Sequence, residues 1–296
     1  MLSNTGSLAA LGNTTITAGQ LSGNGLLAAG MRADGSFASA GDLTVTARGV
    51  LQSDGQNMAA GQLQMTGASV DVGGSQTTAA NIGLTALAGN VTTSKAIVST
   101  NGLLAITANA ANGQALVNQG GSLSTGQLSL RVANLDNTKG TLIQTGAGDT
   151  LIEMGKLDNT GGRIAVNSAN LRLQAGDLTN VDGKIEHAGK GTLAIRATNL
   201  YGQRGQITGN GAFGMAADYV DHRNASTIAR QVMVTSGVLD NRQGEIMQLG
   251  TDLASIVATR SLDNSGGKIE AMAMCRSKRR PYSMTVAALF RHRISA

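Results

Sequence analysis

Apolar residues in this chain come in short alternating bursts, and the bursts return at a fixed interval. Leu43-Thr44-Val45-Thr46-Ala47 alternates with period two, the pattern of a strand buried on one face. Apolar residues two apart recur at Leu43/Val45, Leu63/Met65, Ile82/Leu84, Leu104/Ile106, Leu128/Leu130, Leu171/Leu173, Leu193/Ile195, Phe213/Met215 and Val232/Val234. The series ends on Leu253/Ser255/Val257, and a shifted pair, Ile152/Met154, stands between Leu128 and Leu171. From Leu43 to Leu253 is 210 residues in ten steps, 21 per step. Val70-Asp71-Val72 and Ala96-Ile97-Val98 read as further strands; Ser53-Asp54-Gly55, Gly73-Gly74-Ser75 and Ala111-Asn112-Gly113 read as turns. Residues 1–42 hold similar segments at less regular spacing.

A second series interleaves with the first. Leu157-Asp158-Asn159-Thr160-Gly161-Gly162-Arg163-Ile164 returns nearly unchanged from Leu262 to Ile269 and from Leu239 to Ile246. Weaker copies begin at Leu116, Leu135, Leu178 and Leu200, and a degenerate one at Val220. Successive starts lie 19, 22, 21, 22, 20, 19 and 23 residues apart. Two series with one period mean tandem repeats of strand and turn, each too small to bury its apolar face without neighbours. About 21 residues is the length of one coil of a parallel β-helix, three short strands and three turns, with coils ~4.8 Å apart. A leucine-rich repeat has a similar period but needs a helical segment, which this Gly-, Thr-, Ser- and Asn-rich chain disfavours. The fold class expected is all-β, a parallel β-helical solenoid of about 21 residues per coil.

The third octet position predicts a recurrent structural feature. Asn4, Asn118, Asn137, Asn159, Asn180, Asn241 and Asn264 occupy it, two residues after the leading apolar residue and so on the same face. Stacked coils then bring like amides together as a hydrogen-bonded ladder. On this reading Gly202 and His222 break the ladder at two coils. The glycine that follows supplies turn backbone that a Cβ would hinder.

Composition narrows the choice. Glycine is 41 of 296 residues, aromatics are 2%, Trp is absent and Pro occurs once. The core must therefore be built from Leu, Ile, Val, Ala and Met. Near absence of proline suits a chain of central strands. The net charge of +5 belongs to the tail: residues 271–296 carry six Lys/Arg and no acid, while residues 1–270 carry 17 Lys/Arg against 18 Asp/Glu. It is poor grounds for nucleic-acid binding, and no nucleic-acid partner is expected. The single cysteine, Cys275, lies in the tail, so the body has no disulfide framework or cysteine metal site. No apolar run reaches the roughly 18 residues of a membrane span, and the N-terminus lacks the form of a signal peptide.

LDNTGGRI, LDNRQGEI and LDNSGGKI among LxVxA strands resemble the repeats of filamentous-haemagglutinin-type exoproteins, the large adhesins and contact-dependent inhibition proteins of bacterial two-partner secretion. The resemblance covers about residues 2–270 and implies a right-handed parallel β-helix, secreted or displayed on the bacterial surface. It implies as partners an outer-membrane two-partner secretion transporter for the full-length protein and a receptor or glycan on a host or neighbouring cell. The function expected is a non-enzymatic stalk or adhesion segment, with no catalytic, cofactor-binding or metal residues; Asn118, Asn137, Asn159, Asn180, Asn241 and Asn264 are its structural ladder. A β-helical polysaccharide-active enzyme and a non-functional gene fragment are the alternatives. Residues 1–270 are expected to form the repeat domain. Residues 271–296, where the repeat stops and the composition changes, are expected to be a basic tail outside the solenoid, from a frameshift or truncation with a genuine basic tail as the alternative, although Thr285 to Phe290 could form a short helix or cap the last coil.

Other residues read more plainly. Asp136, Asp158, Asp240 and Asp263 are expected to be solvated turn residues, because the nonapeptide of calcium-binding β-rolls is absent. His187 and His222 are expected at the surface. Tyr201, Phe213 and Tyr219 form an aromatic cluster expected to serve packing, with a sugar-contact patch as the functional reading. Asn13, Asn90 and Asn224 head glycosylation-type triplets that arise by chance in such sequence. The run Lys278-Arg279-Arg280 would suit anionic surfaces.

Overall fold

The computed structural model describes residues 1–38, 40–271 and 285–288. The chain divides into two compact units, residues 1–146 and 147–296, and each is a parallel β-solenoid. In the first unit every coil has three strands. Leu43–Ala47, Gln62–Gly67, Asn81–Ala86, Leu103–Thr107 and Gln127–Arg131 stack in parallel, with Leu43, Leu63, Ile82, Leu104 and Leu128 in one column. That column and the residues two further on are the apolar series of the sequence, and all but Leu130 are buried. A second row includes Val91–Thr92, Ala115–Val117 and Asn134–Asp136. A third includes Ile97–Ser99, Ser122–Thr125 and Thr141–Gln144. Alternate residues point inward, and each fully buried Leu, Ile or Val contributes about 1.5–3 kcal/mol.

The second unit runs its strands through the corners. Thr150–Asp158, Leu171–Thr179 and Thr192–Tyr201 each cover two sides of a coil. Gln206–Asp221 and Ser226–Asp240 run along all three. At each such corner two successive residues face outward, as Gly155 and Lys156 do between buried Met154 and Leu157. The backbone turns there without interrupting the inter-coil hydrogen bonds.

Several expectations need correction. The last apolar set was placed one residue out of phase: Val234 pairs with Ile256, so Ala254, Ile256 and Ala258 point inward while Leu253 is 57% exposed. A one-residue slip exchanges the two faces of a strand, and the partner coil decides the phase. The irregular spacing near the N-terminus has a single cause. Thr14 stacks on Leu43, 29 residues on, and Leu27 on Asn57, 30 on. The excess leaves the coil as a hairpin closed by a Met31–Phe37 bridge, with Asp34 accepting from the Ser36 N–H and hydroxyl. Lastly, Thr285–Ala288 pairs in parallel with Ser255–Ala258, so this part of the tail joins the solenoid. The uncharged Thr-Val-Ala-Ala segment meets an edge whose N–H and C=O groups otherwise lack partners. The Arg276–Pro281 stretch lies outside the described residues.

Candidate functional site

The octet builds an internal column of polar side chains at one turn of each coil. Its leading residue is buried and stacks on its counterparts, Leu157 on Leu178 and Val220 on Leu239. The second residue lies on the outer side of the turn, buried only at Asp221, and where it is Asp it accepts the backbone N–H two residues on: Thr138 to Asp136, Thr160 to Asp158, Arg223 to Asp221, Arg242 to Asp240 and Ser265 to Asp263. These are turn-forming aspartates. The third residue points inward. The fifth takes a left-handed backbone, at Gly120, Gly161 and Gly266 but also at Lys139, Asp182, Arg204, Asn224 and Gln243.

The sixth residue is glycine in every octet but the one from Val220, which has Ala225, and the reason is not the turn conformation. It does not need a positive φ; it needs space. A Cβ at Gly183 would stand 2.1 Å from the Asn159 carbonyl oxygen and 2.6 Å from Asn180 Oδ1. Where the preceding coil has a side chain at its third position, the backbones approach too closely for a Cβ, as at Gly183, Gly205 and Gly244; Ala225, in the octet from Val220, follows the coil whose third residue is Gly202.

Within the first unit, Thr93 Oγ1 donates to Asn118 Oδ1 at 2.8 Å and Asn118 Nδ2 to Asn137 Oδ1 at 2.8 Å. Within the second, Asn159 Nδ2 donates to Asn180 Oδ1 at 2.7 Å, and Asn241 Nδ2 to Asn264 Oδ1 at 2.6 Å. Each of these amides also donates to the carbonyl three residues on, as Asn159 does to Gly162 and Asn241 to Gly244. The donor always lies on the coil nearer the N-terminus, so the column has a direction. Asn118, Asn137, Asn159, Asn180 and Asn241 are buried; Asn264 is half-buried. Asn4 has no amide opposite and donates to the Leu26 carbonyl.

Of the two expected breaks, Gly202 is one and His222 is not. His222 is 2% exposed, with Nδ1 2.6 Å from Asn241 Oδ1 and Nε2 2.9 Å from Thr227 Oγ1. The Asn241 amide nitrogen already donates elsewhere, so its oxygen accepts, and His222 carries its proton on Nδ1. Nε2 then accepts from the Thr227 hydroxyl. The imidazole replaces an amide and keeps the column's direction. Burial holds its pKa below the usual histidine value, against opposing contributions from the Asn241 bond and the Asp221 charge. His187, also 2% exposed, donates Nε2–H to the Ser168 carbonyl at 2.9 Å. Burial lowers its pKa likewise. Both histidines were expected at the surface. They are inside because each follows an inward apolar residue by two positions, Val220 before His222 and Ile185 before His187.

A second buried network escaped the sequence reading. Asn57 Nδ2 donates to Thr77 Oγ1 at 3.1 Å, Ser53 Oγ to Asn57 Oδ1 at 2.6 Å, and the Ser75 and Thr77 hydroxyls are 2.9 Å apart. Asn57 and Thr77 stand in the column that Leu27, Val98, Leu123 and Leu142 fill in other coils. A polar residue at that aligned position was the available signal.

Outside the same turns, Arg223 pairs with Asp221 at 2.7 Å and Asp240 at 3.6 Å, and Arg242 with Asp240 at 2.7 Å and Asp263 at 3.7 Å. The Arg242 hydrogen bond holds the Asp240 carboxyl below the ordinary carboxylate range. The Tyr201 and Tyr219 rings stand 6.0 Å apart on the outer face. Phe213 is not with them, being fully buried in the core. Among the described residues no group of His, Cys, Asp and Glu is arranged to hold a metal ion.

The arrangement is chemistry of stacking, and similarity to known proteins agrees. A family model described as haemagglutinin repeat matches residues 1–30, 147–199 and 188–266. Over 282 residues the chain is 31% identical to Toxin CdiA of Yersinia pestis, covering 90% of this chain and 8% of that protein. Over 73 residues it is 42% identical to tRNA nuclease CdiA-2 of Burkholderia pseudomallei strain 1026b, covering 24% of this chain and 2% of that protein. The chain thus spans a small fraction of these relatives. No solved structure matches.

Proposed function

Since this chain belongs to the haemagglutinin-repeat family, we propose that it is a non-enzymatic structural segment of a large adhesin or contact-dependent inhibition protein, secreted or held at the bacterial surface. Its coils set the distance and orientation of whatever the full-length protein presents. Its partners, for that protein, are an outer-membrane two-partner secretion transporter and a receptor or glycan on another cell. The observation that supports this reading is the polar column. Side chains that elsewhere do chemistry, the Asn159, Asn180 and Asn241 amides and the His222 imidazole, have their polar atoms engaged between coils. The domain boundary near residue 270 is part of the proposal, with Thr285–Ala288 added to the solenoid.

A spacer tolerates loss of whole coils and fails on loss of partial ones. Excising residues 157–177 from the full-length exoprotein joins the Leu178 octet where the Leu157 octet stood and keeps the stacking phase. Excising about half that length does not. The expected result is that the first deletion is exported and displayed while the second is degraded. Loss of display with both deletions, or depolymerisation of acidic or neutral glycans by the purified chain, would overturn the reading.

A further inference from the structure

The second unit carries a groove of about 670 Å³ on its outer face, within the size range of ligand sites. It follows the corner where strands bend outward and crosses five coils, from Gln174 to Arg260, about 19 Å at ~4.8 Å per coil. Its floor is a column of small residues, Ala175, Ala197, Ala217 and Ser236, in register across the coils. The Ser236 hydroxyl is buried and has no partner in the protein.

Two arginines mark the groove. In the second unit Arg163, Arg204, Arg223, Arg230 and Arg242 each pair with a carboxylate. Among the described residues there Arg172, Arg196 and Arg260 do not, and the last two line the groove. Arg260 is held in place: its Nη2 donates to the Asp218 carbonyl at 2.8 Å, two coils away, passing over Gly237, where a Cβ would come within 2.3 Å of it. Arg196 and Arg260 sit three coils apart, about 14 Å, and exposed Asp218 lies on a coil between them.

We propose that this groove binds an extended acidic glycan, a sugar chain whose carboxylates are separated by uncharged, hydroxyl-bearing stretches. Guanidinium groups recognise carboxylates by charge-assisted hydrogen bonds. Thr198 and Thr235 offer hydroxyls along the walls, and the Thr259 hydroxyl, which donates to the Ser236 carbonyl, can accept. Tyr219, next to Asp218 and close to Tyr201, supplies an aromatic surface beside the groove. A peptide strand cannot add here, because the backbone groups of both walls are used between coils. A chain with a phosphate at every step would meet the Asp218 carboxylate. The inference extends the reading above by naming a ligand class for a displayed segment, but binding by the purified chain requires no export. Failure to bind would therefore leave the spacer reading standing, and failure of the coil-deletion test would leave the groove.

The test is calorimetric titration of the full chain with a hyaluronan oligosaccharide, whose carboxylates lie on alternate sugars, its neutral methyl ester, poly-glutamate and oligothymidylate. The acidic oligosaccharide is expected to bind in preference to the other three. Arg196→Gln and Arg260→Gln should each weaken it about tenfold or more, the effect of losing one hydrogen bond to a charged group. Ala216→Phe, an exposed wall position, should block it by filling the groove. Arg48→Gln, the same charge change in the first unit, should leave it intact. Should Arg260→Gln lower the melting temperature through loss of its bond to Asp218, Arg196→Gln and Ala216→Phe still decide. No binding, equal binding of the ester, the peptide or the oligonucleotide, or equal loss in Arg48→Gln would overturn the proposal.

Discussion

Asn159 donates to three acceptors, Asn180 Oδ1 and the Gly162 and Lys184 carbonyls. Truncating it leaves those buried groups short of a donor, so Asn159→Ala should cost about 1–3 kcal/mol in urea unfolding. The neighbouring turn positions respond in opposite ways. Gly183→Ala puts a methyl group against backbone with nowhere to move and should destabilise strongly. Gln243→Gly, at φ 56°, relieves a left-handed strain of about 1–2 kcal/mol against a smaller entropic loss, and should be neutral or mildly stabilising. A pair of thermal melts separates crowding from backbone freedom. His222 adds a pH dependence. Its folded pKa lies below the ordinary 6.5, so the unfolded chain takes up a proton first as pH falls. Stability is fully present above about pH 6.5, is lost as pH falls through the window below it, and levels off beneath the folded pKa. His222→Asn restores the amide and should flatten the melting temperature between about pH 7 and pH 5. The slope that remains belongs to His187. An unchanged slope would place the titration elsewhere.

Along a strand, the neighbouring coil rather than the local pattern selects the buried face. Ile256 is buried against the Val234 column while Leu253 is exposed. Ile256→Ala should therefore cost about 2–5 kcal/mol, whereas Leu253→Ser should change stability by less than about 0.5 kcal/mol. The reverse order in urea denaturation would restore the phase that the sequence pattern suggested. The corner of the second unit has the same logic. Two outward residues in succession reset the alternation, and the concave surface they leave is the groove. The hairpin between Ala29 and Leu43 shows the complement: an excess of eight or nine residues over the 21-residue coil leaves the stacking on either side of it in register.

Coils that touch only their neighbours make stability a sum of local terms. Leu104 stacks on Ile82 and Leu128. Leu104→Ala should lower amide-exchange protection most in those two coils of the first unit, with little change in the strands of the second. Uniform loss of protection throughout the chain, by hydrogen-exchange mass spectrometry, would show that the solenoid unfolds as one body instead. The directed polar column fits the additive picture, since each coil presents donors that the next coil satisfies.

Much of this was legible without coordinates. Period-two alternation, the 21-residue return and the recurring Leu-Asp-Asn-x-x-Gly turn are properties of contiguous residues, so the parallel coil, its turns and the common repeat position of the asparagines could be read in order, while that they point inward could not. Resemblance of those octets to a known repeat family added the biological setting. What depended on residues 19 to 30 positions apart could not be read that way. The partner of each amide, the capture of His222 by Asn241 and Thr227, the phase at Ile256 and the network around Asn57 follow from register between coils. So does the groove, whose two arginines without a carboxylate partner are 64 residues apart in the chain. The reason is geometric: each coil offers its neighbour similar apolar faces, and only the stacked backbone decides which polar side chains meet and where the outer surface turns concave.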